Sequence, residues 1–311
     1  MRPYLSIIMT LLAGTLLAFC LGLPVVRDRW ESFLVAFAAV VLAPMALKVL
    51  QVGVPRWYVL IAALFAFALV LKGPWWLATP YLMFAAWNVW AVLVGLFSVV
   101  DRPINGWVRL FALGYWFTGG VWAVFHLLEF SPLGFDPVIV TLTSAHFHLA
   151  GFVASTMVFS VVSKEKSRSA RILGICSLTG MPFVALGITL TRLGFDPIWE
   201  QCSALFFWGY VGLLIYQLTS WALQKDCLLL RRTLLLGATG SLGVGIFLAF
   251  LYAIRFQIPI DWITIPNMKY WHGTLNTLGF GWMGLSACLY EEFSSSKTSA
   301  NPYYEPTKDI Y

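Results

Sequence analysis

Along the chain, apolar stretches of about twenty residues alternate with short clusters of charge, Gly, Pro and Asn, which is the pattern of repeated bilayer crossings. Turn and charge punctuation places helices over 4–25, 33–50, 57–72, 76–99, 107–129, 138–163, 170–191, 199–223, 232–255 and 267–290. The fold class predicted is therefore all-α: a polytopic transmembrane helical bundle of about ten spans. The runs over 33–50 and 57–72 are the shortest, and the junction from Lys48 to Arg56, with Gly53 and Pro55, reads as a loop or as a re-entrant bend. Arg2 and the apolar run to Val26 have the outline of a signal peptide, but bulky Phe19 before Cys20 spoils the cleavage box, so this run is read as an uncleaved helix. From Glu291 onward the chain is polar and reads as a disordered tail.

Composition sharpens this picture. Of 311 residues, 60% are hydrophobic and 11% charged, which excludes an ordinary soluble enzyme. The net charge of +6 comes from Lys and Arg beside apolar runs rather than from one basic patch, so nucleic acid is not an expected partner and the lipid bilayer is. With the N-terminus cytoplasmic, 14 of the 20 basic residues fall on the cytoplasmic side, and the positive-inside rule then puts both termini there. Five cysteines, at 20, 176, 202, 227 and 288, form no CxxC pair and no disulfide framework.

The polar residues are distributed unevenly. Residues 1–100 read as four apolar scaffold helices, residues 101–290 as six helices carrying a polar site, and residues 291–311 as a cytoplasmic tail. All four histidines, His126, His146, His148 and His272, fall in the second part and, in this topology, in the outer half of the membrane. Glu129, Asp136, Asp196, Glu200 and Asp261 lie at the same side. Ionisable groups at membrane depth face a cavity or a partner, so the simplest geometry is one outward-facing site. His126, Glu129, His146, His148, Glu200 and His272 are its candidate catalytic residues, and the four histidines its candidate metal ligands. Each imidazole also has a plain structural reading, as interhelical hydrogen-bond glue.

Spacing refines the candidates. His146 and His148, two residues apart on a helix, point about 200° apart and serve different faces. His126 and Glu129 share a face at i, i+3, as His272 and Asn276 do at i, i+4. Asn88, Trp116, Trp122, Trp208 and Asn276 are candidate substrate-binding residues, the indoles as walls for a flat or lipophilic ligand. Leu133-Gly134-Phe135-Asp136-Pro137 recurs as Leu193-Gly194-Phe195-Asp196-Pro197, which suggests a duplicated helix pair; each Asp-Pro also suits a helix start. Phe206 and Trp208 stand in the second copy where the first has His146 and His148, so a site built on this repeat is asymmetric. Pro182 is expected to kink the helix over 170–191.

The elements Leu133-Gly134-Phe135-Asp136-Pro137, Leu142-Thr143-Ser144-Ala145-His146-Phe147-His148-Leu149-Ala150-Gly151-Phe152, and His272-Gly273 with Leu275-Asn276 and Leu278-Gly279-Phe280 resemble the YndJ-like bacterial membrane proteins over about residues 115–285. The resemblance implies a multi-spanning protein of the bacterial inner membrane, sometimes described as a transporter of undefined substrate, and carries no catalytic assignment. The His-Phe-His helix is also faintly similar to that of haem-copper oxidase subunit I. Four histidines exclude its full site but leave one haem with two axial imidazoles open. Three functions follow: an intramembrane site that binds or transforms a small lipophilic molecule, a proton-coupled transporter, and a single-haem electron-transfer or sensing protein. The cofactor stays open between a metal ion, haem and none.

Overall fold

A computed structural model describes residues 28–98 and 103–290. The helix predicted over 4–25, Cys20 and the tail from 291 lie outside these residues. Every regular element described is helical. α1 spans Trp30–Val49, α2 Tyr58–Leu71, α3 Trp75–Phe97, α4 Ile104–Leu127, α5 Pro137–Lys164, α6 Arg168–Arg192, α7 Ile198–Ala222 and α8 Leu229–Ala253; α9 runs over 265–290. Seven of these, α1 and α3 to α8, are long and apolar enough to cross a membrane. The other two depart from the expected count in different ways. α2 is apolar but has 14 residues, about 21 Å, short of a hydrocarbon core of about 30 Å. α9 is long enough but begins with the polar segment Ile-Pro-Asn-Met-Lys-Tyr-Trp-His.

Consecutive helices pack side by side, and contacts between remote residues fix which ends lie together. Arg109 at the start of α4 donates to the Gln51 carbonyl after α1, at 3.1 Å. Lys269 at the start of α9 pairs with Glu31 at the start of α1, at 2.9 Å, and Trp30 donates to Thr274 at 2.9 Å. α9 thus returns to α1 across 238 residues of sequence. One end of the bundle carries Glu31, Asp136, Asp196 and Lys269; the other carries Lys164, Arg168 and Arg231. At the latter end Trp221 donates to Glu165, with Lys164 and Arg231 over its ring.

The repeated Leu-Gly-Phe-Asp-Pro element makes a related turn twice, with Leu133 at φ 52° in the first copy and Leu193 at φ −80° in the second. Gly134 and Gly194 take positive φ of 67° and 88°, open to glycine at little steric cost. Asp136 is the N-cap of α5, accepting from the Val138 N–H at 2.8 Å; Asp196 lies one residue before the N-cap Pro197 of α7 and accepts from the Ile198 N–H at 2.9 Å. Arg192, just before the second copy, donates to the Gly134 carbonyl of the first.

Three helices contain π-helical stretches: Ala38–Leu42 in α1, Phe147–Val153 in α5 and Leu275–Met283 in α9. These stretches contact one another in the middle of the bundle. Such wide turns are uncommon and tend to occur at functional sites. Side chains take up backbone carbonyls around them. Tyr58 donates to Ala39 at 2.7 Å, and His148 to Ser144 at 2.9 Å.

Pro182 lies inside α6, which continues past it. Lacking an N–H, it leaves the Leu178 carbonyl without its helical donor. Tyr115 of α4 supplies one, its hydroxyl reaching Leu178 at 2.7 Å and Ser177 at 3.1 Å. Tyr115→Phe is therefore expected to cost about 1–2 kcal/mol, seen as a lower thermal midpoint in detergent. In a Pro182→Ala background, where residue 182 has an N–H to give, the same substitution is expected to cost measurably less; equal costs in both backgrounds would refute this account.

Candidate functional site

At the Asp136 end, α5 to α9 surround a cavity of about 890 Å³, with Glu31 and Leu34 of α1 at its mouth. Its deep end is closed by Ala154, Met181, Val211, Leu214, Leu242 and Phe280, near the middle of their helices. The cavity is thus a vestibule that runs from one end of the bundle to mid-helix, largely apolar in its walls. His146 of α5 and His272 of α9 lie side by side on its wall, ring centroids 6.0 Å apart.

Hydrogen bonds fix the tautomers of this pair. His146 Nδ1 lies 2.7 Å from the Leu142 carbonyl and His272 Nδ1 lies 2.7 Å from the Gly245 carbonyl of α8. A carbonyl only accepts, so each Nδ1 carries a proton, and in the neutral imidazole each Nε2 then offers a lone pair. Asn276 Nδ2 lies 3.1 Å from His272 Nε2 and 3.3 Å from its Nδ1. His146 Nε2 has no protein partner among the described residues, and the residue is exposed to the vestibule. Gly245 makes room for this arrangement: a Cβ there would lie 2.6 Å from Asn276 Oδ1.

Charged groups gather at the mouth. Glu200 and Arg255 form an ion pair at 2.8 Å, and Arg255 lies over the rings of Tyr252 and Phe256 at 4.0 and 4.2 Å. Glu31 and Lys269 form the second pair. Asp136 and Arg192 complete the charged lining. Trp122 and Trp208 also line the vestibule.

The structure thus brings His146, His272, Asn276, Glu200, Trp122 and Trp208 to one cavity and places the other candidates elsewhere. His148 is fully buried on the opposite side of α5, as the i, i+2 spacing predicts. Trp116 donates to the Tyr81 hydroxyl at 2.5 Å, Tyr81 to His148 Nε2 at 3.2 Å, and His148 Nδ1 to Ser144. Ser144 closes the chain on the Gly119 carbonyl at 2.8 Å. Every member is satisfied, which is how a buried polar chain is made stable. Asn88 is buried in α3, donating to Phe84 at 2.7 Å.

His126 and Glu129 line a separate cavity of about 420 Å³ with Lys72. There the Thr141 hydroxyl, which donates to Pro137, accepts from His126 Nδ1 at 2.7 Å. The four histidines are therefore divided among three places. Among the described residues, no three of His, Cys, Asp and Glu come together as a ligand group for a metal ion. For a haem with two axial imidazoles, His146 alone offers an unengaged Nε2 in the vestibule.

Sequence reasoning missed Glu31, Arg255, Lys269, Tyr81 and Gly245. Only the acidic and basic residues at helix ends gave any signal, since pairing partners 55 or 238 residues apart cannot be matched without the helix order.

Seven described helices long and apolar enough to cross a membrane are the build of a multi-pass helical membrane protein. A model of the YndJ-like protein family matches residues 33–280, and the chain belongs to that family. No curated protein and no solved structure matches it.

Proposed function

We propose that the vestibule is an outward-facing intramembrane site that binds, and through His146 transforms, a small lipophilic molecule. The observation carrying this reading is the unengaged Nε2 of His146 in a largely apolar cavity large enough for a small ligand. A neutral imidazole held by its Nδ1–H accepts a hydrogen bond and, in a reaction, a proton. His272, oriented by Gly245 and Asn276, supports it from beside it. Of the described basic residues, Lys48, Arg56, Arg109, Lys164, Lys166, Arg168, Arg171, Lys225, Arg231 and Arg232 lie at the end opposite the mouth. The positive-inside rule then sets that end in the cytoplasm of a bacterial inner membrane and the vestibule outside.

Native mass spectrometry of the protein released from native lipid nanodiscs tests the reading. A small lipophilic molecule is expected at one copy per chain, reduced about tenfold in His146→Ala and retained in Asn88→Ala, which lies away from the vestibule. Occupancy unchanged in His146→Ala would overturn it.

Proton-coupled transport is the second reading, favoured by one feature: the vestibule stops near mid-helix, beside the contacting π-helical stretches of α1, α5 and α9. Transport sites lie near the midplane at irregular helices. Uptake of the co-purifying molecule into proteoliposomes, driven by an imposed proton gradient and lost in His146→Ala, would decide for it over a bound enzyme substrate.

A further inference from the structure

We infer that the ligand of the vestibule is an uncharged amphiphile whose polar end is a hydroxyl, an alcohol or a phenol, donating its hydrogen to His146 Nε2. This rests on the proposed reading of the vestibule as a ligand site and specifies the chemistry of what it takes.

Two sets of observations support it. The first concerns where protons already go. Thr143 donates its hydroxyl hydrogen to Ile139, Thr189 to Ala185, Thr191 to Gly187 and Ser203 to Glu200, each a carbonyl of its own helix, at 2.7–3.2 Å. The three threonines line the vestibule part-exposed, while Ser203 is fully buried beside it. With their hydrogens spent on the backbone, the threonine hydroxyls, like His146, have lone pairs left to offer. A ligand that brings a hydrogen is matched; one that brings only an acceptor finds these groups already oriented against it.

The second concerns charge. The lining contains three acidic residues, Glu31, Asp136 and Glu200, and three basic ones, Arg192, Arg255 and Lys269. Glu200 with Arg255 and Glu31 with Lys269 are paired at 2.8 and 2.9 Å. Arg192 and Asp136 are engaged at the same turn, by the Gly134 carbonyl and the Val138 N–H. Arg192 and Asp136 keep their charge at the mouth, but below it the lining holds no acidic or basic side chain other than the histidines, so an ion carried to the level of His146 would go without a counter-charge, which is costly in a low-dielectric setting. A neutral molecule keeps the pairs intact, its apolar body in the closed end and its hydroxyl at the level of His146.

The test uses protein in nanodiscs and four probes with one tail: 4-octylphenol, its methyl ether, 4-octylbenzoate and 4-octylbenzylammonium, each titrated by native mass spectrometry. The phenol is expected to bind one per chain, at least tenfold tighter than the ether and than either ion. His146→Ala is expected to lower phenol affinity to that of the ether and leave the ether unchanged, while His146→Gln, which keeps an acceptor, recovers part of the preference. Tightest binding of the benzoate or the ammonium, or a phenol preference that survives His146→Ala, would overturn the hydroxyl assignment while leaving a ligand site in place. Failure of all four probes to bind would overturn that assignment and the ligand-site reading together.

Discussion

Gly119→Ala is expected to be among the most damaging single-methyl changes in the protein, lowering stability by about 3 kcal/mol, read as a large drop in thermal midpoint in detergent. A Cβ at 119 would sit 2.5 Å from Nδ1, 2.8 Å from Cε1 and 3.2 Å from Cγ of His148, so it meets the ring and not the end of a flexible chain. The ring has nowhere to go. It is fully buried, packed against Tyr81 and Phe65, and anchored at both nitrogens by Ser144 and Tyr81. Overpacking alone costs about 1–3 kcal/mol. Displacing the ring also breaks its hydrogen bond with Tyr81, whose hydroxyl carries the Trp116 indole, and leaves buried polar atoms unpaired.

The account makes a sharper demand on pairs of substitutions. His148→Ala removes the clashing atoms, so adding Gly119→Ala to it is expected to cost under about 1 kcal/mol beyond His148→Ala itself. If Gly119→Ala costs as much in the His148→Ala background as in the wild type, the ring is not what the methyl meets. The comparison also separates the two histidines of the His-Phe-His element: His148→Ala is expected to act on stability, and His146→Ala on ligand occupancy.

How far these roles were legible in the sequence depended on the range of the interaction involved. Hydropathy located the described helices because the bilayer constrains each span independently of its neighbours. It failed to separate full crossings from short or polar ones, since α2 and α9 take their places through contacts with α1. The divergence of His146 and His148 followed from helical geometry alone, and the cap at Asp136 from the Asp-Pro pair; in the second copy the cap position falls on Pro197 instead. Which imidazoles meet did not follow. His272 reaches His146 because Gly245, on another helix, lets Asn276 and the ring fit beside its backbone. His126 is drawn away by Thr141, 15 residues on. Glu31 read as part of an apolar scaffold, and only the fold reveals that Lys269 returns to it.

The Glu200–Arg255 pair is expected to give the second large effect, in Arg255→Met. Glu200 is 8% exposed as a residue, and its carboxylate faces the vestibule mouth with Arg255 Nη1 as its cationic partner at 2.8 Å. Removing one member of a buried pair strands the other in low dielectric, at about 3–5 kcal/mol in full burial. Arg255 keeps about a quarter of its side chain exposed, so part of that field is screened and about 2–3 kcal/mol is the expected loss. Loss of the guanidinium also uncovers Tyr252 and Phe256, against which it packs. Glu200→Gln added to Arg255→Met removes the stranded charge while keeping its shape, and is expected to recover most of the stability. If the double variant is no more stable than Arg255→Met, the cost lies in the lost packing and not in an unpaired carboxylate. The same two variants bear on the vestibule: with Arg255 gone and Glu200 still ionised, the mouth gains a net negative charge. Affinity for the 4-octylbenzylammonium probe is then expected to rise severalfold over wild type and to fall back when Glu200 is neutralised.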